Sequence, residues 1–316
     1  MIPAALPAGL DHDGRSVSLK YHRLLSGLRA HPPNSLRGLH EIIAGGAQVI
    51  EFDVRALSGG DYVLLHDAHL DRESTGMGAA AGHTAATVKT LCHRGTDVPL
   101  TLLSEVTDVL HRYTGPPVKV QVDVKDTDPF SPADAERLLR AIAPLRDNAR
   151  LRVVVGTLGD WNLRLFRRID PTLQVGLDFF IYLDAPVIDE LPRLPSRANV
   201  FGYLDDHPLG WVHSPWNVQT YLIDRITTLC GLVPGAVEVY LRKEFVARAV
   251  RHGVNPVEIV RRACGDVGVD VWTINADQPD AAALLAVALT AGATQITTDT
   301  AAQLPALVYP GARQAR

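Results

Sequence analysis

Eight short apolar runs recur along the chain, starting near positions 17, 48, 118, 151, 172, 237, 269 and 294, and most are separated by stretches whose apolar residues repeat at helical spacing. Strands that alternate with helices are joined by crossovers rather than hairpins, and crossovers build a parallel sheet covered by helices. Eight such units close the sheet into an α/β structure, the (β/α)8 TIM barrel. The chain has 316 residues, a length that one barrel with insertions fills. No linker divides it, so one domain is predicted over 16–316, behind a loose N-terminal arm at 1–15. A Pro- and aromatic-rich stretch at about 180–215 follows neither period and is read as an insertion. It holds His207, Trp211, His213 and Trp216, which form either a lid or an aromatic satellite cluster.

Composition removes several functional classes. A net charge of −4 and a pI near 6.3 leave no basic footprint for nucleic acid, and no polybasic run marks an anionic membrane surface. No segment approaches the ~20 apolar residues that a transmembrane helix needs. Met1–Leu10 lacks the basic start of a signal peptide and is too short for its apolar middle. The three cysteines, Cys92, Cys230 and Cys264, are odd in number and far apart, which argues against a disulfide framework. They fit a reducing compartment, and a cytoplasmic location is expected. Oligomeric state is left open.

Chemistry first shows in Gln48-Val49-Ile50-Glu51-Phe52-Asp53-Val54-Arg55, an apolar strand pattern that carries two acids. Alternate strand residues share a face, so Glu51 and Asp53 lie side by side. Two buried carboxylates need a neutralising partner. One answer is a divalent cation with oxygen ligands. The other is a solvent-facing acidic face paired with Arg55. In a barrel the working face lies at the C-terminal ends of the strands. His22 and Arg23, then His66, then Asp123 and Lys125, then Trp272 and Asn275, then Asp299 all fall at such ends. Any one of them could be a loop or capping residue. Their joint concentration at one face calls for a site. By contrast His69, His83, His93 and His111 are read as loop or helix-surface residues, Lys243 as solvated and Cys92 as inert.

The motifs resemble those of the glycerophosphodiester phosphodiesterase family, which has the phospholipase C-like barrel. His22-Arg23 is similar to the family's His-Arg-Gly, and Gly46-Ala47-Gln48-Val49-Ile50-Glu51-Phe52-Asp53-Val54 to its Gly-Ala-Asp-x-Ile-Glu-Leu-Asp-Val. His66-Asp67, followed by Leu70-Asp71-Arg72, matches its His-Asp-x-x-Leu-Asp-Arg. Val122-Asp123-Val124-Lys125 resembles Ile-Glu-Ile-Lys, and Val271-Trp272-Thr273-Ile274-Asn275 and Ile296-Thr297-Thr298-Asp299 resemble the closing strands. The resemblance implies one divalent metal ion, Mg²⁺ or Ca²⁺, on Glu51, Asp53 and Asp123. It implies phosphate binding by Arg23 and Lys125, acid–base catalysis by His22 and His66, and a substrate wall at Trp272. The implied reaction splits a small-molecule glycerophosphodiester into glycerol 3-phosphate and an alcohol, by way of a cyclic phosphate.

Three positions depart from the family pattern. Leu24 stands where the family has glycine and would crowd the approach to phosphate. Pro33 replaces a glutamate, and Asp123 is one methylene shorter than the usual glutamate. Related phospholipase D enzymes also carry Asp-x-Lys and release cyclic phosphates from lysolipids or sphingomyelin, so a lyase is the second reading. A non-catalytic metal- or ligand-binding barrel is the third, and retention of both histidines argues against it.

Overall fold

The computed structural model describes residues 5–183 and 218–309. Eight parallel strands form the closed barrel expected from the alternating pattern. In chain order the strands are β1 (Gly9–His12), β2 (Arg15–Tyr21), β3 (Val49–Ala56), β4 (Tyr62–Val63), β5 (Val118–Val124), β6 (Leu151–Thr157), β7 (Gln174–Asp178), β8 (Glu238–Arg242), β9 (Gly268–Trp272) and β10 (Gln295–Thr298). The barrel runs β2-β3-β5-β6-β7-β8-β9-β10 and closes where Gln295 of β10 meets Ser18 of β2. The short strand β4 pairs antiparallel with β3 and opens the excursion that carries His66.

The loose arm expected at 1–15 is in part ordered. Gly9–His12 pairs antiparallel with β2, and Leu6 and Leu10 are buried. Their apolar side chains close the barrel's flank, a gain that no local periodicity signals. A second difference is the helix Lys243–Arg251, which starts directly after β8 and buries Phe245, Val246 and Ala249. It places Lys243 partly out of solvent, with its Nζ donating to Gln278 Oε1 at 2.5 Å, so the solvated reading of Lys243 is replaced. His93, read as one of the loop or helix-surface histidines, lies in a loop but is buried. Cys230 and Cys264, far apart in sequence, end two adjacent helices. The expected insertion begins with the turn Phe180–Leu183, while His207, Trp211, His213 and Trp216 lie outside the described residues. No helix of the described residues is long and apolar enough to cross a membrane.

The outward side chains of the strands follow the usual rule. Ile50, Phe52, Val122, Val155, Val175, Val239 and Val271 are buried under the helices. The barrel interior does not. Barrels are generally filled by bulky branched residues, whereas here Lys20, Glu51, Asp53, Gln121, Glu238, Asp270 and Thr297 are all buried. Lys20 Nζ pairs with Asp270, donates to Gln121 Oε1 and lies 4.5 Å from the Tyr240 ring centroid. Lys119 pairs with Glu238 one layer lower. The Tyr240 ring lies across Gly176, where any side chain would collide with it, and a side chain at Gly156 would collide with Gln121. The interior is therefore a stack of ion pairs beneath the C-terminal mouth.

Candidate active site

The register of β3 and β5 decides the centre of the site. Glu51 pairs with Gln121 and Asp53 with Asp123, so the three acids project into one corner of the barrel. Their nearest carboxylate oxygens all lie within 4.8 Å of one another. That spacing suits oxygens around one Mg²⁺ or Ca²⁺, whose ligands sit about 2.0–2.6 Å from the ion. Glu51 Oε1 is buried without a hydrogen-bond partner, a costly state for an anion unless a cation completes it. The donor set and this orphaned oxygen fit a hard divalent cation. Asp123 reaches the group despite its shorter side chain because the parallel register sets it directly beside Asp53.

Arg55 does not neutralise these acids. It turns toward main-chain carbonyls and Asp126. Asp53 is paired with Arg23 Nε at 3.2 Å and Lys125 Nζ at 3.0 Å, and Lys125 also meets Asp123 at 2.7 Å. These contacts divide the two neighbouring acids. Burial, and then the Asp53 charge, push Glu51 up to about 7. Burial acts on Asp53 in the same direction, but Lys125 and Arg23 outweigh it and hold Asp53 well below the carboxylate range.

His22 and Arg23 are delivered by a single 3-10 turn after β2. Arg23 and Leu24 are both in the left-handed region, with φ of 50° and 61°. For a residue with a Cβ this costs about 1–2 kcal/mol. Leu24 occupies the position where the family has glycine. Its side chain is fully buried in the core and does not line the cavity where phosphate would approach. Its carbonyl lies against Gly38, where a Cβ would collide with it. The turn aims the Arg23 amide at Glu51 Oε2, 2.8 Å away. His22 Nδ1 meets Asp299 Oδ1 at 2.7 Å, and Asp299 is fixed by Asn275 through Nδ2 at 2.6 Å and Oδ1 at 2.8 Å. A proton on Nδ1 leaves Nε2 free to face the acids, 3.9 Å from Glu51 Oε2.

His66 stands across the cavity. Its Nδ1 meets Asp67 Oδ1 at 3.0 Å, and Asp67 is held in turn by Arg72. Lost hydration in the cleft, and then the Lys125 ammonium, push the His66 imidazole down. Trp272 closes the opposite side, edge to face with Phe180 at 5.8 Å between ring centroids. The cavity at this mouth measures about 1030 Å³ and is lined by every expected site residue except Asp53, which lies fully buried behind it.

Several supporting residues escaped sequence reasoning. Asn34 clasps Asp53, donating from Nδ2 to Oδ2 at 2.8 Å and accepting the Asp53 amide at 3.1 Å. Asp299 and Asn275 were visible as polar strand ends, but nothing in the sequence pairs them with His22. Glu73 accepts the Asp67 amide at 2.7 Å and the His66 amide at 3.5 Å. It comes near enough to His66 and Asp67 to form a second potential ligand group, yet its oxygens are occupied in bracing the loop.

Comparison with known proteins bears on this arrangement. Among curated proteins, the glycerophosphodiester phosphodiesterase of Caldanaerobacter subterraneus subsp. tengcongensis is 25% identical over 149 residues, which is 46% of this chain and 60% of that protein. The chain thus spans about three-fifths of the length of that relative. Among solved structures, a putative glycerophosphoryl diester phosphodiesterase from Silicibacter pomeroyi DSS-3 is 18% identical with a TM-score of 0.59, covering 98% of this chain and 97% of the other. An Oleispira antarctica phosphodiesterase solved with the product sn-glycerol-3-phosphate is 17% identical with a TM-score of 0.57, over 92% of this chain and 96% of the other. At such identities the structures speak for a shared fold. Residues 22–182, which carry all but one of the expected site residues, match the model of the glycerophosphoryl diester phosphodiesterase family, and the chain belongs to that family.

Proposed function

We propose that this protein is a metal-dependent phosphoric diester hydrolase that cleaves small-molecule glycerophosphodiesters to glycerol 3-phosphate and an alcohol. The observation that carries the reading is the convergence, at one barrel mouth, of three carboxylates, two fixed cations and two imidazoles on opposite sides of a cavity. A relative in fold solved with sn-glycerol-3-phosphate supports the substrate class.

Arg23 and Lys125 hold the non-bridging phosphate oxygens, the first through a planar fork and the second as a point charge. Glu51, Asp53 and Asp123 would hold a divalent cation, which when bound would supply positive charge against the charge that builds on phosphorus. His22, oriented through Asp299, accepts the proton of the attacking substrate hydroxyl at Nε2. His66 gives a proton to the departing alcohol oxygen. Burial and then the Lys125 charge depress that protonated state, and a bound phosphodiester anion favours it by offsetting the Lys125 charge. Water then opens the cyclic phosphate with the two histidines in exchanged roles. Trp272 supplies an apolar wall that orients the substrate and sheds water.

The test is product analysis. Purified protein with Mg²⁺ or Ca²⁺ releases glycerol 3-phosphate from glycerophosphocholine or glycerophosphoethanolamine; chelation abolishes release, and His66→Ala slows it by about 10²–10⁴-fold, leaving a measurable residue. The Asp123-x-Lys125 pair favours one alternative, a lyase that stops at the cyclic phosphate. A cyclic product that persists in phosphorus NMR would select the lyase. Metal binding without turnover on any phosphodiester would select a binding barrel. The cysteines form no disulfide, which fits the cytoplasm as the compartment we propose.

A further inference from the structure

Arg55 lies just past the acids on β3 and lines the cavity, with its side chain 16% exposed. Its Nε and Nη2 both donate to the His66 carbonyl oxygen, at 3.1 and 2.9 Å. Its Nη1 donates to the Lys125 carbonyl at 2.5 Å and to Asp126 Oδ1 at 3.3 Å. Asp126 is itself anchored, since its Oδ2 accepts the Ala56 amide at 2.8 Å. Both carbonyls belong to residues just beyond the ends of their strands, β4 and β5; the Lys125 amide still donates to the Val54 carbonyl of β3, and the Lys125 carbonyl is the group that Arg55 takes up. One planar guanidinium therefore ties together the backbones of two segments that no sheet pairing connects.

We infer that Arg55 is a positioning residue that sets the spacing between the His66 imidazole and the Lys125 ammonium. Each side chain hangs from a backbone whose carbonyl Arg55 grips. The His66 amide is held from the other side by Glu73, so the His66 backbone is fixed at both ends. The inference rests on the proposed roles of His66 as proton donor and Lys125 as phosphate ligand. Under those roles, Arg55 fixes the distance between proton and phosphate without touching either. A lysine at 55 keeps the charge but lacks the rigid planar fork whose separate nitrogens serve the two carbonyls.

The test compares Arg55→Met and Arg55→Lys in the full chain, by amide hydrogen exchange without substrate and by steady-state kinetics on a glycerophosphodiester. Both variants are expected to exchange at least about tenfold faster in peptides covering 64–73 and 123–128, with β8 and β9 unchanged. Their kcat/KM falls roughly tenfold to a hundredfold, the scale of an ångström-level misplacement. In a His66→Ala background Arg55→Met costs less than about twofold, because the group it positions is gone. A purely structural role would lower both backgrounds alike. Unchanged exchange in both segments overturns the clamp, whatever the kinetics show. Faster exchange together with a fully active His66→Ala enzyme upholds the clamp and instead removes His66 from the chemistry. If Arg55→Met does not fold, Arg55→Lys carries the same comparison.

Discussion

Replacing Glu51 by glutamine should stabilise the metal-free protein at alkaline pH while removing its response to metal. Glu51 is 1% exposed, has one oxygen without a partner and sits beside ionised Asp53. Burial and that neighbour raise it from 4.5 to about 7. Between these values the folded chain binds more protons than the unfolded chain. Stability is therefore full below pH 4.5 and is lost as pH rises through 7. A shift of this size amounts to on the order of 3 kcal/mol. Glutamine has the same shape without the charge, so Glu51→Gln should lack the slope. At pH 8 in chelator it should be more stable than wild type by on the order of 3 kcal/mol, about 5 °C in Tm for a chain of this length. At pH 4.5 the two should coincide. A divalent cation at a thousand times Kd reverses the order, because the wild type gains about 4.1 kcal/mol and the variant gains little. Urea denaturation at both pH values, with chelator and with Mg²⁺ or Ca²⁺, measures all four cases. A variant that in chelator at pH 8 is no more stable than wild type would refute the claim that Glu51 is a strained anion awaiting a cation.

Asp299→Asn removes the charge that orients His22 yet can keep the Asn275 contact, so kcat should fall about a hundredfold or more with little change in Tm, read from kinetics and melting curves side by side. Lys20→Met leaves Asp270 charged and unpaired inside the barrel, where both are almost fully buried, and should cost about 3–5 kcal/mol in urea denaturation. Adding Asp270→Leu should recover most of that loss, and a double variant as weak as the single one would show that the pair is not the cause. His93 is buried with Nε2 unpartnered, and burial pushes it down to about 4. Its folded value lies below its ordinary 6.5, so its contribution is full above pH 6.5 and is lost as pH falls toward 4, about 3 kcal/mol in all. His93→Phe should flatten the acid limb of the stability profile, and an unaltered limb would count against this account.

The alternation of strand and helix patterns and the motifs around Glu51, His66 and Asp123 carried the barrel and the identity of most candidate site residues. They could do so because both are local: periodicity is set by side-chain direction along one element, and a strand's end is where its loop begins. The ordered arm at Gly9–His12, the buried His93 and the helix at Lys243–Arg251 owe their states to surfaces supplied by distant segments, and no local pattern announces such a surface.

The sequence by itself determined that Glu51 and Asp53 share a strand face and need a positive partner, since pleating requires the first and electrostatics the second. It left open whether Arg55 or a cation was that partner. Only the tertiary structure removed Arg55 from that role, turning it to the carbonyls of His66 and Lys125, while the parallel register of β3 and β5 sets Asp123 beside Asp53 and Arg23 and Lys125 pair with Asp53. Register and long-range clasps such as Asn34 on Asp53 and Asp299 on His22 arise when strands far apart in the chain are closed into one barrel. Their energies belong to that closure, not to any stretch of residues read in order.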